Sequence, residues 1–213
     1  HLKALAAGLA KQGKTLADYL RDTGRTEAEV RDHWATMLQF QRYVDGQATD
    51  AALRQYHAAN KDFFDRATVR VSHVVVRVGA TAPPAERAAA HQKLAAVRDE
   101  VRAGRLGFAD AAKKYSMCPT APTGGDVGWI ARRDTIVDEA FARAAFALPV
   151  GAVSDPTDTE FGVHLLLVTE RKAGTPTPYE ACAELVRDCF ADDVRQSLTA
   201  GLRERAEVRV LVP

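Results

Sequence analysis

The spacing of the apolar residues changes twice along this chain, and those two changes constrain the fold more than any other feature. Up to Thr68 the apolar residues recur at helical intervals; Val69 to Val78 (VRVSHVVVRV) is β-branched and partly alternating, which predicts a strand. After Gly174-Thr-Pro-Thr-Pro178, a proline-punctuated linker, the helical interval returns and holds from Tyr179 to Ala206. A chain that leaves the helical period and comes back to it predicts an inserted unit. We therefore expect an α+β fold: residues 1–67 and 175–213 joined as one discontinuous helical domain, with residues 68–174 folding between them.

The helical flanks carry their own start and stop signals. Thr15 can cap Leu16 to Arg21, Gly24 can end that run, and Thr26-Glu-Ala-Glu29 is a capping box whose side chains satisfy each other's backbone donors. Val30, Trp34, Met37 and Leu38 then form an apolar stripe, and Thr49-Asp50 starts a helix running through Tyr56 towards Phe63 and Phe64. The helix from Tyr179 is too long and too amphipathic to stand alone, so Leu185, Phe190, Leu198 and Leu202 are expected to pack on the N-terminal helices. Val208 to Val212 reads as a terminal strand. The chain opens inside a helix-like stretch, and residues upstream of His1 are expected.

Inside the middle unit the expected order is strand, helix, helix, loop, helix, strand, strand. Pro83-Pro84 opens a long helix closed by Gly104, with Leu94, Val97 and Val101 on its buried face, and a shorter helix runs from Phe108 to about Tyr115. A Gly/Pro-rich loop from Ser116 to Trp129 follows, then a helix from about Asp138 to Ala147. Two extended runs, Val153 to Thr157 and Val163 to Thr169, close the unit and can pair antiparallel.

Composition excludes several classes. A formal net charge of +1 gives no dense basic face for nucleic acid, and no apolar run approaches the roughly 18 residues of a membrane span. Cys182 and Cys189 stand seven apart in a helical stretch. Their Cα atoms would then lie about 10.5 Å apart, beyond the roughly 7 Å a disulfide spans; they are packing residues.

Three polar residues are not explained by packing: His73 within a valine strand, Cys118 in the Gly/Pro loop, and His164 among leucines. Buried polar groups need partners, and titratable groups in apolar surroundings concentrate at functional sites.

Five segments in order, Val71-Ser-His-Val-Val-Val, Tyr115-Ser-Met-Cys-Pro, Gly124-Gly-Asp-Val-Gly-Trp129, Ala144 to Pro156 and Thr159-Glu-Phe-Gly-Val-His164, resemble the parvulin signature. The resemblance implies a four-stranded antiparallel sheet surrounded by helices, with a short strand near Gly128-Trp129, and peptidyl-prolyl cis/trans isomerase activity without cofactor or metal. It places His73, His164, Thr159 and Cys118 at the catalytic centre. It assigns the proline pocket to Val127 and Phe141, with Asp126 beside them and a third wall from Ile136 or Val137, because the stretch between Trp129 and Phe141 is longer than the family's pattern. The flanks resemble extracytoplasmic foldases and chaperones of the SurA and PrsA kind, implying unfolded polypeptide clients with X-Pro bonds. Two alternatives stand beside this: a chaperone whose isomerase site is vestigial, and a cysteine hydrolase pairing Cys118 with a histidine. Pro119 removes a backbone N–H that the hydrolase would need for its oxyanion. Phosphate selectivity is not expected: Gly79 to Ala85 has no basic residue, Arg77 and Arg87 only flank it, and Arg132 and Arg133 are expected on a solvated face.

Overall fold

A computed structural model describes residues 7–11, 13–79, 81–133 and 137–206. The expected terminal strand at Val208 to Val212 and the candidate Ile136 lie outside the described residues. The chain divides into two compact units, one running through Tyr56 and resuming at Ala183, the other spanning His57–Cys182.

The first unit contains α1 (Leu16–Thr23), α2 (Glu27–Gln47), most of α3 (Asp50–Ala59) and most of α8 (Tyr179–Arg205). The expected capping box forms between Thr26 and Glu29, and the Thr15 cap proves to be a second one, exchanging hydrogen bonds with Asp18. Gly24 ends α1 at φ 64°, a left-handed conformation that suits glycine. α3 does not continue to Phe63 and Phe64; the chain breaks at Asn60 and restarts as the short α4 (Lys61–Phe64). The Tyr56 hydroxyl donates to Asp193 at 2.5 Å, and its ring meets Phe190 edge-on at 5.5 Å. The apolar faces differ from the expected ones. On α2, Val30 and Val44 are buried while Met37 and Leu38 are exposed, and on α8 Val186 is buried while Leu185 and Leu202 are exposed. α8 is also interrupted at Cys182, whose φ of −135° is not helical.

In the second unit, β1 (Thr68–Arg77), β2 (Asp126–Ala131), β3 (Thr157–Thr159) and β4 (Gly162–Lys172) form the expected antiparallel sheet in the order β2-β1-β4-β3. β1 and β4 are central and buried on both faces, so alternate residues serve two cores. Val74, Val76, Val163 and Leu165 pack under α5 (Pro84–Arg102) and α6 (Phe108–Tyr115). Val69, Val71, Leu166 and Val168 pack against Phe141, Ala145 and Phe146 of α7 (Glu139–Ala147). The edge strand beside β4 differs from its expected place. Val153 makes only an isolated bridge to Leu167, and the strand forms at Thr157–Thr159 instead. The buried Ser154 replaces strand pairing by accepting from Leu166 N–H at 2.9 Å through its hydroxyl and donating its own N–H to Leu166 O at 2.8 Å.

β2 pairs with β1 only as far as Ser72, where the register shifts. Beyond it the loop takes over that edge: His73 N–H donates to Gly125 O at 2.9 Å, and Met117 N–H to Val75 O at 2.8 Å. The half of β1 that carries His73 is therefore flanked by loop, and Gly125 must approach it closely. A Cβ on Gly125, whose φ is +80°, would lie 2.2 Å from His73 O. We expect Gly125→Ala to cost about 2–4 kcal/mol in urea unfolding; a loss below about 0.5 kcal/mol would show that the loop can give way.

Candidate functional site

Along β1 the period of two puts His73, Val75 and Arg77 on the α7 side of the sheet. The β1–β4 register sets Val75 opposite His164 and His73 opposite Leu166, so the two histidines are diagonal neighbours on that side. Their rings lie 5.4 Å apart at 30°, and their Nδ1 atoms are 3.3 Å apart. Asp138 caps α7 through Ala140 N–H (2.7 Å) and Phe141 N–H (3.4 Å). Phe141 thus stands in the first turn, with its ring 5.7 Å from His73 and 5.5 Å from His164, both nearly edge-on.

Thr159 enters from β3, opposite Gly162. Its Oγ1 lies 2.9 Å from His164 Nε2 and 3.4 Å from Gly162 O, and it accepts from Phe161 N–H at 3.1 Å. His73, His164, Thr159 and Phe141 are all buried. Burial pushes both imidazoles down to about 4; the neighbouring His73 adds to the depression of His164 and Asp138 opposes it. At neutral pH each ring therefore carries one N–H and one lone pair. The bonds then admit two proton arrangements. Either His73 donates to His164, which donates to the Thr159 hydroxyl, or the hydroxyl donates to His164, which donates to His73. His73 Nε2 has no partner in either.

These residues floor an open cleft of about 540 Å³. Val127, Val137 and Phe141 line it, and so does the half-buried Cys118. Among the described residues neither histidine hydrogen-bonds the Cys118 thiol: His164 is taken by His73 and Thr159, and His73 Nε2 is unpartnered. A nucleophile–base pair is not made. Asp126 does not line the cleft. Its carboxylate accepts from Arg70 at 2.7 Å and from Gly128 N–H at 2.9 Å, and the Arg70 guanidinium holds it below the usual carboxylate range.

Sequence reasoning missed Val75, Arg77, Thr120, Asp138 and Phe161, which also line the cleft. Counting by twos from His73 reaches Val75 and Arg77, so that signal was present. Arg132 and Arg133 are not on a solvated face: Arg132 pairs with Glu139 at 2.8 Å, and Arg133 lies over the Phe63 ring at 5.2 Å. Arg87 is held by Asp158 at 2.8 Å. Arg77 is the one cationic side chain in the cleft wall among the described residues.

The depressed histidines fix a pH dependence. The unfolded chain binds protons at these rings below about 6.5 while the folded chain resists until about 4. Stability attributable to the pair is thus complete above about 6.5 and falls as pH drops towards 4. Ring-proton NMR titration should find neither histidine with a midpoint above about 5, given values near 4; a midpoint near 6.5 would contradict the buried, neutral pair.

Residues 73–170 match the family described as rotamase, PPIC-type PPIase domain. The chain is 35% identical over 146 residues to chaperone SurA of Cupriavidus metallidurans, an alignment covering 65% of this chain and 28% of that one. It is 35% identical over 124 residues to foldase protein PrsA of Bacillus subtilis, covering 58% of this chain and 36% of that one. The chain spans about a third of the length of these curated relatives. In fold it is similar to the solved structure of the peptidylprolyl isomerase PrsA from Bacillus cereus, with a TM-score of 0.54 and 22% identity, covering 99% of this chain and 75% of that one.

Proposed function

We propose that this chain, which carries a PPIC-type peptidyl-prolyl isomerase domain over residues 73–170, accelerates X-Pro isomerisation in unfolded polypeptides, as part of a foldase-chaperone acting outside the cytoplasm. The observation that carries this reading is the neutral, buried histidine pair under Phe141 at the floor of an apolar cleft. The relatives named chaperone SurA and foldase PrsA support the choice of clients and compartment. Among the described residues no helix is long and apolar enough to cross a membrane.

The reaction breaks no covalent bond. Amide resonance sets a barrier near 18–20 kcal/mol, and each 1.36 kcal/mol removed is worth tenfold in rate. The twisted amide has lost resonance, and with it part of the charge separation of the planar forms. An apolar cleft therefore favours the twisted form over the planar ones. Phe141, Val127 and Val137 hold the proline ring. Because both histidines stay neutral, the floor adds no net charge that would favour the planar amide. Thr159 and His164 keep the floor ordered, and the Cys118 thiol adjusts polarity beside the carbonyl.

Phe141→Ala should lower kcat/KM for an Ala-Pro peptide by about thirtyfold or more, whereas Cys118→Ser should stay within about fivefold. The reverse ranking would favour covalent chemistry and overturn the reading.

Arg77 is exposed and solitary, and one such cation contributes at most about 1 kcal/mol, or about fivefold, to an anionic ligand. A phosphate needs several converging cations. PhosphoSer-Pro should therefore exceed Ala-Pro in kcat/KM by less than about tenfold. A preference on the order of a hundredfold would contradict the assignment to unmodified clients.

A further inference from the structure

Val137, Asp138 and Phe141, which line the cleft, lie at the start of α7, a helix linked at its C-terminal end to α4, the short helix through which the chain enters β1. α7 is nine residues long, and five of them, Ala140, Ala142, Ala144, Ala145 and Ala147, are alanine. The face it buries sets two small residues, Ala142 and Ala145, between Phe141 at its start and Phe146 at its end, so the placement of the helix is read out at these two rings. Its last carbonyls have no intrahelical donor, and no basic residue stands in its last turn. Arg171 of β4 supplies the missing donors: its Nη2 donates to Phe146 O at 2.6 Å and Leu148 O at 3.2 Å, and its guanidinium lies over the Phe146 ring at 5.5 Å. The same guanidinium donates through Nη1 to Asp62 of α4 at 3.3 Å. Ahead of α7, Arg133 rests on Phe63 of α4 at 5.2 Å.

α4 is itself anchored. Phe63 meets Phe64 at 5.0 Å, the buried Phe64 meets His57 at 5.1 Å, and His57 bonds Thr177 O at 3.0 Å. Asp65, held low by Lys61 and by Thr177 N–H, closes the joint between the strands' entry and exit chains.

We infer that Arg171 is a positioning residue for the proline clamp, and that the Asp62–Arg171 contact carries the placement of the α4 joint to Phe141. Phe141 touches both histidines, so an axial shift of α7 on the order of 1 Å changes the shape of the clamp without touching the floor. The kinetic part of this inference rests on the isomerase reading; the structural part does not.

Two variants and two readouts test it. Arg171→Met keeps the stem over Phe146 and removes the donors, while Asp62→Asn removes only the charge link to α4. For an Ala-Pro peptide, Arg171→Met should raise KM roughly fivefold with kcat within about twofold, Asp62→Asn should raise KM about twofold, and Arg171→Lys should fall between wild type and Arg171→Met. In the peptide-free chain, the Phe141 ring NMR signals should move in both variants, while those of Phe108, on the other face of the sheet, stay in place. Should Arg171→Met fail to fold, Asp62→Asn decides the matter. Should the unaltered chain have no isomerase activity, the functional reading falls and the ring signals still decide the coupling. Unchanged KM and unchanged Phe141 signals in a folded variant would overturn the inference, as would equal movement of Phe108, which would mean general loosening.

Discussion

Two imidazoles are buried side by side with no countercharge between them, and the surroundings of the cleft answer to that. An isolated buried charge would cost several kcal/mol, so both rings stay neutral; each then offers one donor and one acceptor, of which His164 has both engaged and His73 one. The β1–β4 register brings the Nδ1 atoms within 3.3 Å, and β3 delivers Thr159 to the far side of His164. Phe141 roofs the pair and excludes water. Slipping β1, β3 or β4 by one residue would turn His73, Thr159 or His164 to the opposite face of the sheet and break the chain of hydrogen bonds.

The cleft lies where regular pairing ends. β2 leaves β1 at Ser72, and the loop from Ser116 to Gly125 completes the edge with hydrogen bonds to His73 and Val75. A loop can carry Cys118 and Thr120 to the cleft wall, which a straight strand at that edge could not, while the two cores on either side of β1 and β4 hold the frame rigid. Function on a loop backed by a packed scaffold is a common division of labour.

Much of the frame was legible in the sequence because its signals are local. Proline at the first turn of α5, the limits of α6, the Thr15 cap, the Thr26–Glu29 capping box and the valine run of β1 all act within a few residues of themselves. The misses depend on distant partners. Ser154 displaces a strand that its neighbourhood suggested, because its hydroxyl meets Leu166. Asp126 sits in a motif near the cleft but turns to Arg70, 56 residues away. Arg77 flanks the first loop in sequence, yet the strand period carries it into the cleft wall. On α8, Val186 is buried in place of its neighbour Leu185, and the spacing of the apolar residues alone does not separate the two.

Binding a proline peptide and catalysing its isomerisation are separate properties, and a cleft of this shape is compatible with either. Exchange NMR on an Ala-Pro peptide with a catalytic amount of the chain at neutral pH separates them. Catalysis predicts that the cis–trans lifetime, tens of seconds unassisted, shortens in proportion to added protein while no covalent adduct forms. A peptide whose signals shift and saturate on binding while its exchange lifetime stays at the unassisted value would contradict the isomerase and leave a binding module in its place.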